Sequence, residues 1–387
     1  MLDRECSESL QNAGDNAIQG QGSTIVKMGN VNIGNGSCVS IYPGVTEEKA
    51  RQIAKEMVGE AEAKLLKKFH EMYQNNASKL NDLIIPKLRK ADMLGAFEDP
   101  GFLHTLYQAY RTALLLQEEK SFDMLSDLLK NRAAHPRIDI KKIALEQAIR
   151  ILNNVSDASL KGLAANYCLF CIIPRSGDIS AGLDDYAKVF EELGVDDLPV
   201  GRKWLDEIDM LGAARISTIG GTMRSLADIL AEGLSGYMVR GMKEEDDAYR
   251  DAVKLLQKEG LPKEALIAHE FHPGYMRIPF VSESFLEIEP LTLPANDGLS
   301  SMIELDDAQR NALKEVYRMT TSPEGVPAEE FKEIRKRFSE ALSQRESLRK
   351  VMVWWGQMKT AVRVNETGFA LGYVYAKQNV TGIPEYM

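Results

Sequence analysis

The sequence predicts a mainly α-helical protein, multi-helix bundle modules preceded by a short N-terminal Gly/Asn-rich β segment. Three observations carry that expectation. Apolar residues recur at three- and four-residue steps from Thr46 onward, Pro, Ser and Asp punctuate those stretches at cap positions, and residues 12–44 alternate in short pieces between glycines. At 387 residues the chain exceeds one ordinary core, and a 44% hydrophobic and 27% charged composition is that of a globular protein able to bury one. The expected divisions are a β leader over 1–45, a long amphipathic helix region over 46–98, helical modules over 99–174 and 175–260, and a Pro-rich irregular segment with C-terminal helices over 261–387.

In the leader, Ser23–Lys27, Val31–Ile33 and Cys38–Ile41 read as short strands, with Gly29–Asn30 and Gly34-Asn35-Gly36 at the turns. So small a hairpin cannot stand alone in water. It must dock on its own chain or pair with copies of itself.

Thr46 is an N-cap followed by Glu47 and Glu48, where negative charge suits the helix dipole. Ala50, Ile53, Ala54, Met57, Ala61, Leu65, Phe69 and Met72 then form one stripe, and Lys49, Lys55, Glu60, Glu62, Lys64, Lys67 and Lys68 take the other face. The spacing suits a coiled-coil seam between subunits as well as an intramolecular bundle, the bundle being the preferred reading. Helices are expected at Phe102–Leu116, Ser121–Arg132, Ile140–Leu152 and Ser156–Ile173, divided by Asp99–Pro100, His135–Pro136 and Ser156–Asp157. A second helical module runs from Leu183 through Trp204–Met210 to Thr222–Met242, with Glu244–Asp247 as a solvated helix start. Five prolines from Pro262 to Pro294 then make Tyr275–Val281 and Phe285–Ile288 extended or irregular. Helices Ala328–Glu340 and Leu348–Val364 and the apolar run Phe369–Tyr375 close the chain.

A net charge of −10 and a pI near 5.3 repel polyphosphates as a whole, so nucleic acid is not an expected partner. Four cysteines, Cys6, Cys38, Cys168 and Cys171, are too few for a disulfide framework, and Met1–Asp15 is polar and acidic, unlike a signal peptide. These features place the chain in the cytoplasm. The longest apolar run, Tyr167–Pro174, is far short of the ~18–20 residues that span a bilayer as a helix, so no transmembrane segment is expected.

The motifs that suggest chemistry read better as structure. Cys168-Leu-Phe-Cys171 lacks a second CxxC and sits among apolar residues, which favours buried thiols, reduced and metal-free. His269-Glu270-Phe271-His272 spaces its histidines three apart rather than four, and a proline follows. Gly212, Gly220, Gly221, Gly233, Gly236 and Gly241 lack the Lys-Ser/Thr tail of a phosphate loop. Gly368-Phe-Ala-Leu-Gly372 has GxxxG spacing in too short a run for a membrane helix, so close packing within the protein is expected. Trp354–Trp355 read as core or subunit interface. No catalytic, cofactor-binding or metal-binding residue, and no cofactor, is assigned.

The leader Asn16-Ala-Ile-Gln-Gly-Gln-Gly-Ser-Thr-Ile25, the helix start at Thr46, Leu125-Ser-Asp-Leu-Leu-Lys-Asn-Arg132, Ile143-Ala-Leu-Glu-Gln-Ala-Ile149, Val155-Ser-Asp-Ala-Ser-Leu160 and Thr367-Gly-Phe-Ala-Leu-Gly372 resemble an uncharacterised bacterial helical family known mainly by locus names. The region from Asp99 to Pro174 is also similar to the helical part of Abi-alpha-type abortive infection proteins. The resemblance implies a protein of antiviral defence; with the strand edges of the leader and the stripe of the first helix, the expected function is a non-enzymatic, homo-oligomeric scaffold or sensor acting through protein-protein interaction with itself and with a phage or host protein. The alternatives are a metal-dependent hydrolase around His269, Glu270 and His272, and a membrane-perturbing effector using the Gly-rich segments near Gly220–Gly241 and Gly368–Gly372.

Overall fold

A computed structural model describes residues 32–33, 37–38, 47–217, 223–288, 290–293, 301–321, 328–358 and 360–386. Fourteen α-helices and a few short strands make up the described residues, so the chain is mainly helical. They fall into two compact units, Met1–Met72 and Tyr73–Met387.

Of the leader, the described residues are β1 (Asn32–Ile33) and β2 (Ser37–Cys38), which pair antiparallel with Asn32 opposite Cys38. Ser23–Lys27, Val31, Val39–Ile41 and the proposed turns lie outside the described residues. Helix α1 runs from Glu47 to Lys90. Within the first unit its apolar side chains Ile53, Met57, Val58, Leu65, Leu66, Phe69 and Met72 are exposed. In the second unit Leu80, Ile84 and Leu88 are fully buried.

The centre of the second unit is α14 (Glu366–Asn379), which packs on α5 (Asp157–Cys171), α4 (Ile140–Ile151) and α3 (Glu119–Ala134), with α2 (Pro100–Ala113) completing that group. Side-chain caps set these helices, those at Asp99 and Ser156 being expected from the sequence. Asp99 accepts from the Gly101 and Phe102 amides ahead of Pro100 at the first turn, Asp139 from Lys142, and Ser156 from Ser159. Gly368 and Gly372 let α14 approach closely. A Cβ on Gly372 would lie 2.5 Å from the Leu163 carbonyl oxygen, and one on Gly368 2.3 Å from that of Ala213. This is the close packing expected of the GxxxG spacing.

Helices α6 (Ile179–Leu193) and α7 (Lys203–Met210) pack on α5. Trp354 of α13 (Glu346–Gln357) stacks on Trp204 with ring centres 5.9 Å apart, and Trp355 is buried beside it. Both tryptophans are thus core. The expected helix Leu348–Val364 instead ends at Gln357, because the β-branched Val362–Val364 forms strand β8 against β3 (Ala214–Ile216). Between Thr222 and Met242 only Leu226–Gly233 is α-helical, as α8. The positive φ of Gly241 (81°) and the pressing of Gly236 against the Phe280 carbonyl break the rest.

A second, smaller core joins α9 (Asp247–Lys258) to α11 (Asp307–Thr321), a helix the sequence reading did not anticipate. Helix α9 begins at the acidic run, as expected. Strands β4 (Ile267–Ala268) and β5 (Met276–Arg277) pair beside it, in line with an extended stretch near Tyr275. Phe285–Ile288, expected to be extended, is a single helical turn, α10, because Leu286 is buried toward α11 while Glu287 reaches Lys314 across 2.9 Å. Strands β6 (Leu291–Leu293) and β7 (Ser301–Ile303) pair with each other, and α12 (Ala328–Gln344) packs on α8 and α13.

Candidate functional site

The His269–His272 turn follows β4, and the fold consumes its polar groups one by one. His269 is buried. Its Nε2–H donates to the Val239 carbonyl (2.7 Å), while Nδ1 accepts from the Phe271 amide (3.1 Å), so both ring nitrogens are engaged and the neutral ring is held in one tautomer. Burial, reinforced by the nearby Arg277 guanidinium, depresses its pKa to about 3. Glu270 Oε1 accepts from the Ile179 and Ser180 amides at 2.9 and 3.3 Å, capping the start of α6. His272 donates through Nδ1 to the Arg240 carbonyl (2.8 Å) and stacks on Tyr275 with ring centres 3.6 Å apart. Among the described residues no three His, Cys, Asp or Glu side chains are grouped as metal ligands would be. The turn ties β4 to α6 and to the Val239–Arg240 segment.

Cys168 and Cys171 both lie in α5, Cys168 buried and Cys171 exposed at the helix end. Burial pushes the Cys168 thiol up to about 12, away from the thiolate that reacts or binds metal. Of the glycines weighed as a phosphate loop, Gly220 and Gly221 lie outside the described residues. Gly212 sits at positive φ in a turn, Gly241 at positive φ against the Met276 carbonyl, Gly233 ends α8, and Gly236 serves packing.

Two features among the described residues stand apart. One is the exposed apolar face of α1 between Ile53 and Met72. The other lies in the second unit and was not legible in the sequence. Helix α3 turns Asp123, Asp127 and Asn131, spaced four apart, toward a cleft of about 710 Å³ whose other walls carry Lys87 and Lys90 of α1, Lys377 and Gln378 of α14, and Glu385. Lys87 Nζ lies 2.7 Å from Oδ1 of both Asp123 and Asp127, and Lys377 Nζ reaches the same Asp127 oxygen at 3.5 Å. Lys130 pairs with Glu385 at 2.9 Å. Asp127 and Asn131 are buried, and the Asn131 Nδ2 group finds no hydrogen-bond partner. The only sequence signal was the i, i+4, i+8 polar row itself, which reads as a solvated face until α14 and α1 enclose it.

Fold and surfaces together define a helical protein with an exposed helix face and a polar cleft. A family model described only by a locus-type "-like" designation matches residues 44–378, most of the chain. The chain belongs to this uncharacterised, locus-named family, as its sequence suggested. No curated protein and no solved structure matches it.

Proposed function

We propose that the protein is a non-enzymatic, homo-oligomeric scaffold or sensor that assembles through α1. The observation that carries this reading is the row of apolar side chains, Ile53 to Met72, exposed on one helix. An exposed apolar strip of this kind is costly in water and marks an interface. A second copy of the chain is the occupant that the helix itself supports. From Glu47 to Met72 it extends about 39 Å at 1.5 Å per residue, long enough for a paired-helix seam. The same stretch carries Glu56, Glu60 and Glu62 together with Lys55, Lys64 and Lys68, charges of both signs that two copies can pair. These charges also set α1 apart from a bilayer-spanning helix, and among the described residues no helix is long and apolar enough to cross a membrane.

Defence of a bacterium against phage is the setting that the sequence resemblance adds to this reading, and the few cysteines and polar N-terminus add the cytoplasm. Two measurements test it. Light scattering of the full chain gives a multiple of the 43.2 kDa monomer mass, and a Leu65→Glu/Phe69→Glu double variant shifts toward the monomer with an unchanged helical spectrum. A phage challenge of cells carrying either form then shows reduced plating only with the assembling form. A monomeric wild-type chain at micromolar concentration overturns the proposal.

A further inference from the structure

The polar cleft of the second unit carries a binding site that the assembly reading does not require. Its cations outnumber its anions: Lys87, Lys90, Lys130 and Lys377 face Asp123, Asp127 and Glu385 within a molecule of net charge −10. Asp127 is shared by two ammonium groups, at 2.7 Å from Lys87 and 3.5 Å from Lys377, so Lys377 has the weaker hold. The carboxylate that pairs with Lys130 belongs to Glu385, which is largely exposed. Lys90 is exposed and has no ion-pair partner among the described residues. Asn131, only 4% exposed, brings an unpartnered amide donor to the wall, and buried donors without partners are rare in folded proteins.

We infer that this cleft binds a small phosphate-bearing ligand, with the four lysines meeting its charge and Asn131 supplying an amide donor. The volume lies within the range of small-molecule sites, roughly 300–1,000 Å³. Lysines act on phosphate as mobile point charges, and a multiply charged tetrahedral group engages several of them at once where a single carboxylate cannot. A metal ion is a poorer fit, since Lys87 already covers an oxygen of each of the two aspartates. A bound phosphate draws Lys377 and Lys130 from their present partners and leaves the tight Lys87 pairs in place.

The test is a thermal unfolding series of the full chain with inorganic pyrophosphate, ionic strength held constant with sodium chloride. A saturable rise in Tm is expected with pyrophosphate and none with chloride. Lys90→Glu, at an exposed position that leaves the fold intact, and Lys377→Gln each weaken binding by about tenfold, equivalent to about 1.4 kcal/mol. No saturable response at millimolar pyrophosphate overturns the inference. So does unchanged binding in Lys90→Glu, or binding of an Asp/Glu-rich peptide in the absence of any response to pyrophosphate.

Discussion

At the scale of single residues, histidine 269 shows how a motif that suggests chemistry is absorbed by architecture. Its ring donates to Val239 and accepts from Phe271, and burial holds its pKa near 3, below the ordinary 6.5. A neutral buried histidine favours folding fully above pH 6.5, where the unfolded chain is neutral too. As pH falls from 6.5 toward 3 the unfolded state takes up a proton that the folded state refuses, and stability drops by up to about 1.4 kcal/mol per pH unit. Urea midpoints measured between pH 7 and 4 should therefore slope less steeply in His269→Gln than in the native chain. Identical slopes would show that His269 is not the group responsible. Arg277, fully buried over the Tyr237 ring and donating to the Gly177 carbonyl at 2.6 Å, belongs to the same set of residues whose polarity serves connection between loops.

At the scale of elements, the contact between α14 and α5 depends on two glycines. Gly372→Val pushes a branched side chain into the Leu163 carbonyl, which a Cβ alone would approach to 2.5 Å. Overpacking of this kind costs about 1–3 kcal/mol, and the thermal midpoint should fall accordingly. Gly356→Ala in α13 is the comparison, because its Cβ meets nothing within 4 Å and the change should be neutral or stabilising by up to about 1 kcal/mol. If both variants melt alike, close approach is not what Gly372 provides. Local chemistry made much of this legible: Asp99 and Ser156 were readable as caps because each acts within its own first turn. Val362–Val364 was not, since its strand exists only through Ala214–Ile216, about 150 residues away in sequence. The same holds for Asp123, Asp127 and Asn131, whose burial depends on helices remote in the chain. The Phe285–Ile288 turn was misread because alternation over four residues fits a strand and a helical turn equally.

For the whole molecule, the proposed assembly has two candidate contacts, the leader and the face of α1. The apolar residues of α1 are exposed from Ile53 to Met72, and the leader just before them contains a β1–β2 pair of two residues each. Strands that short have too little surface to persist alone, and open edges in water are normally paired, covered or charged. Lys27 is the only charged side chain between Asn16 and Glu47, so charge does not guard them. On the proposed reading, the leader is expected to add contacts between copies beyond those of the helix. Removing residues 1–44 should lower the mass found by light scattering while leaving the melting of the Tyr73–Met387 unit unchanged. Cys168→Ala should leave the mass as it is, because that thiol is buried within α5. Removal of both the leader and the α1 face should yield a monomer. A mass unaffected by the truncation would assign assembly to α1 alone, and a mass unaffected by either change would remove this whole end of the chain from the interface.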